Sequence, residues 1–290
     1  MHQPRELSVY DIGRTPLYAS QYDQRFSYCL YVPDDYRIDA DTVYSLAVLV
    51  HGTERDVQSY RDSFTDFGQA NNCIVLAPLF PVGIPDPGEF DGYKYLQHRG
   101  IRFDQVLLAM VEEISAVYRV DSRRFLLFGY SGGGQYAHRF AYLHPERVRA
   151  VSIGAPGAVT LLDETLRWPA GIAGAEEAMG RRVDPAALGS TAMHLVIGAE
   201  DTQTHVNNVP PGHPAWIEGV NDEGIPRTMR MLALKRSLEQ HGIPVRYDVV
   251  PGVGHYGPGV ISRVKAFFHH VITVDADRPR PQSAVPDSRG

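Results

Sequence analysis

The chain has 290 residues, of which 43% are hydrophobic and 21% charged, and it carries a formal net charge of −6. This composition is ordinary for a globular protein and allows one large α/β domain or two small ones. Acidic and basic residues are interspersed, which argues against a nucleic-acid binder with its basic stripe. No stretch approaches the roughly 18–20 apolar residues of a membrane span.

The amino terminus and the two cysteines bear on cellular location. The first residues, Met-His-Gln-Pro-Arg-Glu, lack the basic-then-apolar pattern of a signal peptide. Cys29 lies within one apolar run and Cys73 opens another, so we expect two buried free thiols rather than a disulfide or a catalytic pair. These features predict a cytoplasmic protein, and they leave assembly into a homodimer open.

Apolar runs alternate with amphipathic stretches along most of the chain, which predicts parallel strands joined by helices. The predicted strands are 6–10, 26–32, 44–50, 73–79, 124–130, 149–154, 193–198 and 245–250. The predicted helices are 102–119, 132–143, 227–241 and 259–271. The predicted fold class is therefore α/β, with a mostly parallel eight-stranded sheet and helices on both of its faces.

Two long segments interrupt this alternation. Residues 155–190 follow the sixth predicted strand and residues 202–226 follow the seventh, and both are rich in glycine and proline. Long loops at the carboxyl ends of parallel strands commonly carry function, so we expect these two to form a short cap around an active site. Residues 1–274 are predicted to form a single domain, and residues 275–290 a disordered tail.

Residues 125–133 read Phe-Leu-Leu-Phe-Gly-Tyr-Ser-Gly-Gly, an apolar strand that stops at a glycine-rich turn before a helical pattern. Ser131 is the centre of a Gly-x-Ser-x-Gly motif in strand–turn–helix context, which is typical of a nucleophile elbow. Gly129 and Gly133 have no Cβ, so the strand and the helix can approach closely around a strained serine. We therefore predict that Ser131 is a catalytic nucleophile.

A serine hydroxyl is a poor nucleophile unless a base takes its proton and an acid orients that base. His255 follows the last predicted strand, between glycines that let its loop bend toward the serine. Asp201 ends another strand, and we expect that strand to lie beside the nucleophile strand. Glu200 is the alternative acid, whereas Asp163 and Asp222 lie in irregular loops and fit less well.

The developing negative charge on a substrate oxygen needs an oxyanion hole, which two backbone N–H groups can form. We predict that these groups belong to Gly132 and to Thr53, which lies in the loop after the third predicted strand. Aromatic side chains near the motif residues indicate an apolar or aromatic substrate group. The predicted substrate contacts are His51, Tyr130, Trp216 and Tyr256.

Metal binding has little support in the sequence. His205 and His213 are eight residues apart in a proline-rich loop, without a compact ligand motif such as His-Glu-x-x-His. A mechanism based on a serine, a histidine and an aspartate needs no metal. We therefore predict neither a metal site nor a cofactor.

With serine, acid and histidine in the order 131, 201 and 255, and His-Gly at 51–52, the chain resembles the α/β-hydrolase superfamily over about residues 25–270. The segments 145–148, 154–157 and 251–255 resemble those of small bacterial esterases and polyhydroxybutyrate-depolymerase-like hydrolases. The loop at 51–53 reads His-Gly-Thr rather than the His-Gly-Gly-Gly of some lipases, which argues against bulky tertiary-alcohol esters.

The resemblance implies a serine hydrolase that cleaves a small to medium carboxylic ester, a small-molecule substrate, through an acyl-enzyme. An amide, a peptide or a carbon–carbon bond is the alternative substrate for the same three side chains. A further alternative is a ligand-binding protein on the same scaffold, since a fold does not determine a function.

Overall fold

The computed structural model describes residues 7–204 and 209–276, with side chains described up to Val274. Its centre is a nine-stranded sheet. The strands of this sheet are β1 (Gly13–Arg14), β2 (Tyr18–Ala19), β3 (Ser27–Val32), β4 (Ser45–Val50), β5 (Cys73–Leu79), β8 (Phe125–Tyr130), β9 (Val148–Gly154), β10 (Ala192–Gly198) and β11 (Val245–Val250). A separate two-stranded sheet pairs β6 (Gln97–His98) with β7 (Ile101–Arg102).

The strand order is β1-β3-β5-β4-β8-β9-β10-β11, with β2 paired to β3 beside this row. The six strands from β5 to β11 in this row are parallel to one another. Strand β3 runs antiparallel to β5, and β1 and β2 run antiparallel to β3. The carboxyl ends of the parallel strands therefore meet at one edge of the sheet, where the loops after β4, β8, β10 and β11 come together.

The helices are α1 (Val57–Asp62), α2 (Thr65–Ala70), α3 (Phe103–Val117), α4 (Gly132–Leu143), α5 (Ala175–Met179), α6 (Arg227–Gln240) and α7 (Ile261–Ala276). Short 3₁₀ helices span Gly92–Tyr95, Pro145–Arg147, Ala187–Ser190 and Gly257–Val260. Helix α3 buries one apolar stripe at spacings of three and four residues, as its sequence predicts. The buried apolar residues of that stripe are Phe103, Val106, Leu107, Met110, Val111 and Ile114.

Helix α4 directly follows β8 and is buried along its whole length. Its one buried guanidinium, that of Arg139, donates to the Thr160 hydroxyl at 2.9 Å and to the Lys94 carbonyl at 2.7 Å. Buried polar groups must be hydrogen-bonded to be tolerated, so these contacts tie α4 to the loops on either side. Because α4 directly follows β8, its amino terminus lies at the carboxyl edge of the sheet.

The predicted strand at 6–10 is wrong. Ser8 donates its backbone N–H and its hydroxyl to the Asp11 carboxylate, at 2.7 and 2.6 Å. This local bonding closes a turn and competes with strand pairing. The edge of the sheet is formed by β1 and β2 instead, so the sheet has nine strands rather than the predicted eight.

No predicted element corresponds to α1, α2 or α5, because helices of five or six residues are too short to show a helical period. Helix α7 continues to Ala276, past the predicted start of the tail at residue 275. The rest of the predicted tail, 277–290, lies outside the described residues. The segment 155–190 contains α5 and a 3₁₀ helix, and residues 205–208 of the segment 202–226 lie outside the described residues.

Candidate active site

Ser131 occupies the tight turn between β8 and α4. Its φ is +56° and its ψ is −114°, a conformation that is strained for a residue with a side chain. A Cβ on Gly129 would lie 2.0 Å from the Gly133 carbonyl oxygen, and a Cβ on Gly133 would lie 2.1 Å from the Val50 carbonyl oxygen. Only glycine fits at these two positions, so the motif spacing directly produces the turn that holds Ser131 at the carboxyl edge of the sheet.

Two hydrogen bonds join three side chains that are distant in the sequence. His255 Nε2 lies 3.0 Å from Ser131 Oγ, and His255 Nδ1 lies 2.6 Å from Asp201 Oδ2. The Asp201 carboxylate is fully buried, whereas the His255 side chain is 21% exposed. With Nδ1–H donating to the carboxylate, Nε2 is free to accept the serine proton, which is the arrangement that a base needs. We call these three residues the elbow set.

The strands that precede the three residues of the elbow set are not all neighbours in the sheet. Ser131 follows β8 and Asp201 follows β10, but β9 lies between these strands, so the expectation of adjacent strands is wrong. His255 follows β11, which pairs with β10. A Cβ on Gly198, at the end of β10, would lie 2.1 Å from the Val253 carbonyl oxygen. The histidine loop therefore packs directly on the end of β10 and reaches across β9 to the serine.

Asp201 has a second partner that sequence reasoning missed. Arg227, the first residue of α6, donates from Nη1 to Asp201 Oδ1 at 2.8 Å, and its side chain is 2% exposed. Both carboxylate oxygens of Asp201 are thus occupied, one by Arg227 and the other by His255. A buried carboxylate needs such pairing, since an unpaired buried charge is costly. No motif marks Arg227, because an irregular loop separates it from its partner.

The two predicted oxyanion-hole residues lie beside each other. Helix α4 begins at Gly132, and the first N–H groups of a helix have no partner within the helix. Thr53 Oγ1 lies 3.3 Å from the point where a Cβ on Gly132 would be, and the Tyr93 hydroxyl lies 2.3 Å from the same point. Tyr93 donates to the His51 carbonyl at 3.3 Å. It is an additional neighbour of this corner that the sequence did not indicate.

His51 is not placed to contact a substrate, so that prediction is wrong. Its ring is fully buried, Nδ1 lies 2.8 Å from the Gly52 carbonyl oxygen, and Nε2 accepts the Phe80 N–H at 3.0 Å. Burial lowers the pKa of His51 to about 4, so the ring is neutral at pH 7. Nδ1 contacts the loop that carries Thr53, and Nε2 joins it to the end of β5, which gives His51 a structural role.

A cavity of about 400 Å³ opens beside Ser131 and His255. Tyr130 and Tyr256, both predicted to contact substrate, line this cavity. Tyr130 is buried with its ring centroid 5.1 Å from that of His255, whereas Tyr256 is 62% exposed. A molecule bound in this cavity, which we call the serine cavity, would therefore meet both tyrosines and the Ser131 hydroxyl.

Trp216 lies apart from the serine cavity. Its indole N–H donates to Asp222 Oδ1 at 2.5 Å, and its ring packs against a small apolar cluster that includes Ala215. It is not among the described residues that line the serine cavity. The hydrogen bond to Asp222 lies within residues 209–226, so the predicted contact of Trp216 with substrate at Ser131 has no support in the structure.

A second cavity, of about 390 Å³, lies under the 155–190 segment. Its lining includes Trp168, Tyr95 and His213. The His213 ring lies 5.8 Å from that of Tyr95, and its Nδ1 accepts the Ala215 N–H at 3.0 Å. This cavity does not include Ser131 in its described lining, so it is separate from the serine cavity.

The other candidate acids have different partners. Glu200 is exposed, and Asp163 accepts from both the N–H and the hydroxyl of Thr165. Among the described residues, no group of three or more His, Cys, Asp and Glu side chains could hold a metal ion. His205, one of the two histidines considered for a metal, lies outside the described residues.

A second serine–histidine–aspartate set, which we call the strand set, lies within the sheet. Ser152 Oγ on β9 lies 2.9 Å from His194 Nδ1 on β10, and His194 Nε2 lies 3.2 Å from Asp248 Oδ2 on β11. Ser152 and His194 are fully buried. Burial lowers the pKa of His194 to about 4, although Asp248 opposes this shift.

The chain has the α/β-hydrolase fold, as its parallel sheet and the elbow between β8 and α4 require. The predicted fold class is thereby confirmed. In the described ranges, no helix combines the length and the apolar character that crossing a lipid bilayer requires.

Comparison with known proteins agrees with this fold. Poly(3-hydroxybutyrate) depolymerase LpqC from Bordetella parapertussis superposes with a TM-score of 0.68 and 22% identity, over 93% of this chain and 92% of that chain. Poly(aspartic acid) hydrolase-1 from Sphingomonas sp. KT-1 gives a TM-score of 0.66 at 18% identity, over 83% and 92% of the two chains. An S-formylglutathione hydrolase from Agrobacterium tumefaciens gives 0.57 at 17% identity, over 92% and 97%.

Sequence similarity reaches a shorter part of the chain. Esterase FrsA from Yersinia pestis (strain Pestoides F) is 32% identical over 110 residues. This match covers 38% of the present chain and 25% of FrsA, so the chain aligns with about a quarter of the length of that relative. No family model matches the chain.

Proposed function

We propose that this protein is a serine hydrolase that cleaves a small to medium carboxylic ester through an acyl-enzyme. The observation that carries the proposal is the unbroken line of hydrogen bonds from Ser131 through His255 to Asp201, at 3.0 and 2.6 Å. A partly exposed serine at a cavity, bonded to a histidine that a buried carboxylate orients, is the arrangement that activates a hydroxyl for acyl transfer.

In the first half of the reaction, Ser131 Oγ forms a bond to the ester carbonyl carbon while His255 Nε2 takes the hydroxyl proton. The carbonyl electrons move to the oxygen, and the resulting oxyanion accepts hydrogen bonds from the backbone N–H groups of Gly132 and Thr53. Asp201 stabilises the imidazolium that forms on His255. The carbon–oxygen bond to the alcohol then breaks, and His255 returns the proton to the departing alcohol oxygen.

The second half repeats these steps with water. His255 takes a proton from a water molecule, whose oxygen bonds to the acyl carbon of the Ser131 ester. The same N–H groups hold the second oxyanion, and its collapse breaks the bond to Ser131 Oγ. His255 protonates that oxygen, so the free serine is regenerated and a carboxylic acid leaves.

The names of the similar proteins support this proposal. FrsA is named an esterase, and the three structural neighbours are named a depolymerase of a hydroxybutyrate polymer and two hydrolases. The support is for hydrolysis as a reaction class.

A fluorophosphonate probe tests the proposal directly, because it labels only an activated serine. We expect one label per chain, located on Ser131 by peptide mass spectrometry, with hydrolysis of p-nitrophenyl acetate lost in proportion to labelling. An unlabelled Ser131 in folded protein, together with no hydrolysis, would favour the ligand-binding alternative.

The ester is favoured over an amide because an alcohol leaves more readily than an amine, which must be protonated as it departs. Rates on an ester and an amide that share one acyl group decide between them. We expect the ester to be hydrolysed faster, and equal rates would place the amide among the substrates.

We also infer one α/β-hydrolase domain, a small-molecule ester as the partner, and a cytoplasmic location. Cys29 and Cys73 are buried free thiols, and burial raises their pKa values to about 11 and 12. Unpaired, unreactive thiols are typical of proteins from a reducing compartment. Fractionation of cells tests the location, and light scattering on purified protein tests for a homodimer.

A further inference from the structure

The charged side chains that line the serine cavity are negative. Glu54 and Asp56 line it, and no lysine or arginine is among its described lining residues. Neither carboxylate takes part in an ion pair within residues 7–204 and 209–276; Asp56 only caps α1, accepting the Ser59 N–H at 3.4 Å. The cavity at the proposed nucleophile is therefore lined by two carboxylates and, within the described residues, by no cationic side chain.

Glu54 lies close to the reacting groups. It directly follows Thr53, and its Oε2 is 3.2 Å from the point where a Cβ on Gly52 would lie. The proposed oxyanion forms between Thr53 and Gly132, so the Glu54 charge opposes the negative charge that develops there. A substrate that brings its own positive charge into the cavity would remove this opposition.

Three tyrosine rings complete the cavity wall, those of Tyr60, Tyr130 and Tyr256. Tyr130 is buried, and its ring lies beside that of His255, with the two centroids 5.1 Å apart. The face of a tyrosine ring attracts a cation, and rings combined with carboxylates are a favourable site for ammonium groups.

The position of the histidine shows which part of the ester this cavity would hold. His255 lines the cavity, whereas Gly132 and Thr53, which would hold the carbonyl oxygen, are not among its described lining residues. His255 must lie next to the alcohol oxygen in order to protonate it as it leaves. The alcohol part of the ester therefore extends into the serine cavity.

We propose that the serine cavity is a binding site for a cationic alcohol, and that the preferred substrates are esters whose alcohol carries a quaternary or primary ammonium. This inference rests on the proposed function and adds a substrate class to it. Tyr60, Tyr130 and Tyr256 surround the ammonium, and Glu54 neutralises it.

Two esters of equal shape test the proposal, acetylcholine and 3,3-dimethylbutyl acetate, in which a carbon replaces the charged nitrogen. We expect kcat/KM to be about tenfold higher for the cationic ester, from a cation–π contact strengthened by a carboxylate. In Glu54→Gln the ratio of the two kcat/KM values should fall severalfold. It should also fall at about 1 M salt, where the Debye length is about 3 Å.

Glu176→Gln is the matched control, because Glu176 is an exposed carboxylate on α5, outside the described lining of the serine cavity. This substitution should leave the ratio as it is in the unaltered protein. Equal kcat/KM values for the two esters, in protein that hydrolyses p-nitrophenyl acetate, would overturn the cationic site and leave the hydrolase intact. A ratio that is unchanged in Glu54→Gln would overturn the role of Glu54.

A binding measurement separates this inference from the catalytic one. Ser131→Ala protein is titrated with choline and with 3,3-dimethylbutanol, and binding is followed by NMR. We expect choline to bind severalfold more tightly, whether or not the unaltered protein turns over esters. Equal affinities would reject the site, whereas failure of the hydrolase proposal would appear as an unlabelled Ser131 in the probe experiment.

Discussion

The protein contains the same three side-chain types twice, and the two copies differ in where the fold places them. The elbow set joins Ser131, His255 and Asp201 through bonds of 3.0 and 2.6 Å. The strand set joins its serine, histidine and aspartate through bonds of 2.9 and 3.2 Å. The distances alone do not distinguish a candidate catalytic site from a structural network.

The backbone around each serine differs most. Ser131 has a φ of +56° in a turn, is partly exposed, and is followed by the free N–H groups at the start of α4. Ser152 lies inside β9, between β8 and β10, where the N–H groups belong to the sheet ladder. An oxyanion could be held beside Ser131 and could not form beside Ser152.

The two histidines also use opposite ring nitrogens for their serine and aspartate partners. His255 presents Nε2 to its serine and Nδ1 to its aspartate, whereas His194 presents Nδ1 to Ser152 and Nε2 to Asp248. His194 is fully buried between the strands, so no substrate can reach it. A reactive serine therefore needs a strained turn, access for the substrate and donors for an oxyanion, in addition to three hydrogen-bonded side chains.

The largest expected effect separates the two serines. Ser131→Ala should lower kcat for p-nitrophenyl acetate by about 10⁴–10⁶, because it removes the nucleophile. Ser152→Ala should keep the activity and lose about 1–3 kcal/mol of stability, because it leaves Nδ1 of the buried His194 ring without its partner. Ester assays and urea unfolding of both variants measure this difference. Loss of activity in both folded variants would contradict the separation.

The next effect concerns the arginine beside each aspartate. The pair of Arg227 and Asp201 is buried, whereas Arg246, 2.9 Å from Asp248, is 38% exposed. Arg227→Gln should destabilise the protein by about 3–5 kcal/mol, since it leaves a buried carboxylate partly unpaired. Arg246→Gln should cost less than about 1 kcal/mol. Urea unfolding measures both values.

The activity of Arg227 variants adds a second readout to this pair. Because Arg227 holds Asp201 in place, Arg227→Gln should also lower kcat, and Arg227→Lys should restore part of it by keeping the charge. Arg246→Gln should not change kcat. Equal effects of the two glutamine substitutions on both stability and kcat would show that burial does not distinguish these pairs.

The smallest effect is the acid sensitivity that the strand set confers. The pKa of His194 is lowered to about 4 in the folded protein, and an unfolded histidine has a pKa of about 6.5. Between these values only the unfolded chain binds the proton, so stability falls as the pH is lowered. By linkage, this histidine should cost about 2 kcal/mol of stability between pH 7 and pH 5.

His194→Gln should remove this part of the pH dependence, and the exposed His270→Gln should retain it. The free energy of unfolding in urea at pH 7 and pH 5 is the measurement. An identical loss on acidification in unaltered protein and in His194→Gln would contradict the assignment. The buried His51, whose pKa is also lowered to about 4, should continue to contribute in both.

Sequence reasoning succeeded where the determining contacts are local. The glycines around Ser131 are within two residues of it, so the motif contains the steric reason for the turn. Asp201 and His255 were predicted because each follows an apolar strand, and parallel strands end at one edge of a sheet. Their meeting with Ser131 follows from the fold class and the chain order.

Sequence reasoning failed where a side chain's partner lies in a distant segment of the sequence that no motif marks. His51 belongs to a His-Gly pair that is typical of an oxyanion loop, but its ring is buried. The Phe80 N–H, just after β5, donates to this ring. Arg227 reaches Asp201 only after an irregular loop has folded back on the sheet. The strand set depends on the pairing of three strands, and hydrophobic periodicity carries no information about which strands become neighbours.

The amino-acid sequence by itself determined the fold class, the elbow and the three side chains of the elbow set, because short-range sterics and strand periodicity are encoded in adjacent residues. Only the tertiary structure decided which polar groups are exposed and which are buried as partners of one another. Burial and pairing arise from packing between distant segments, so the same three residue types form a candidate active site at Ser131 and a buried network at Ser152.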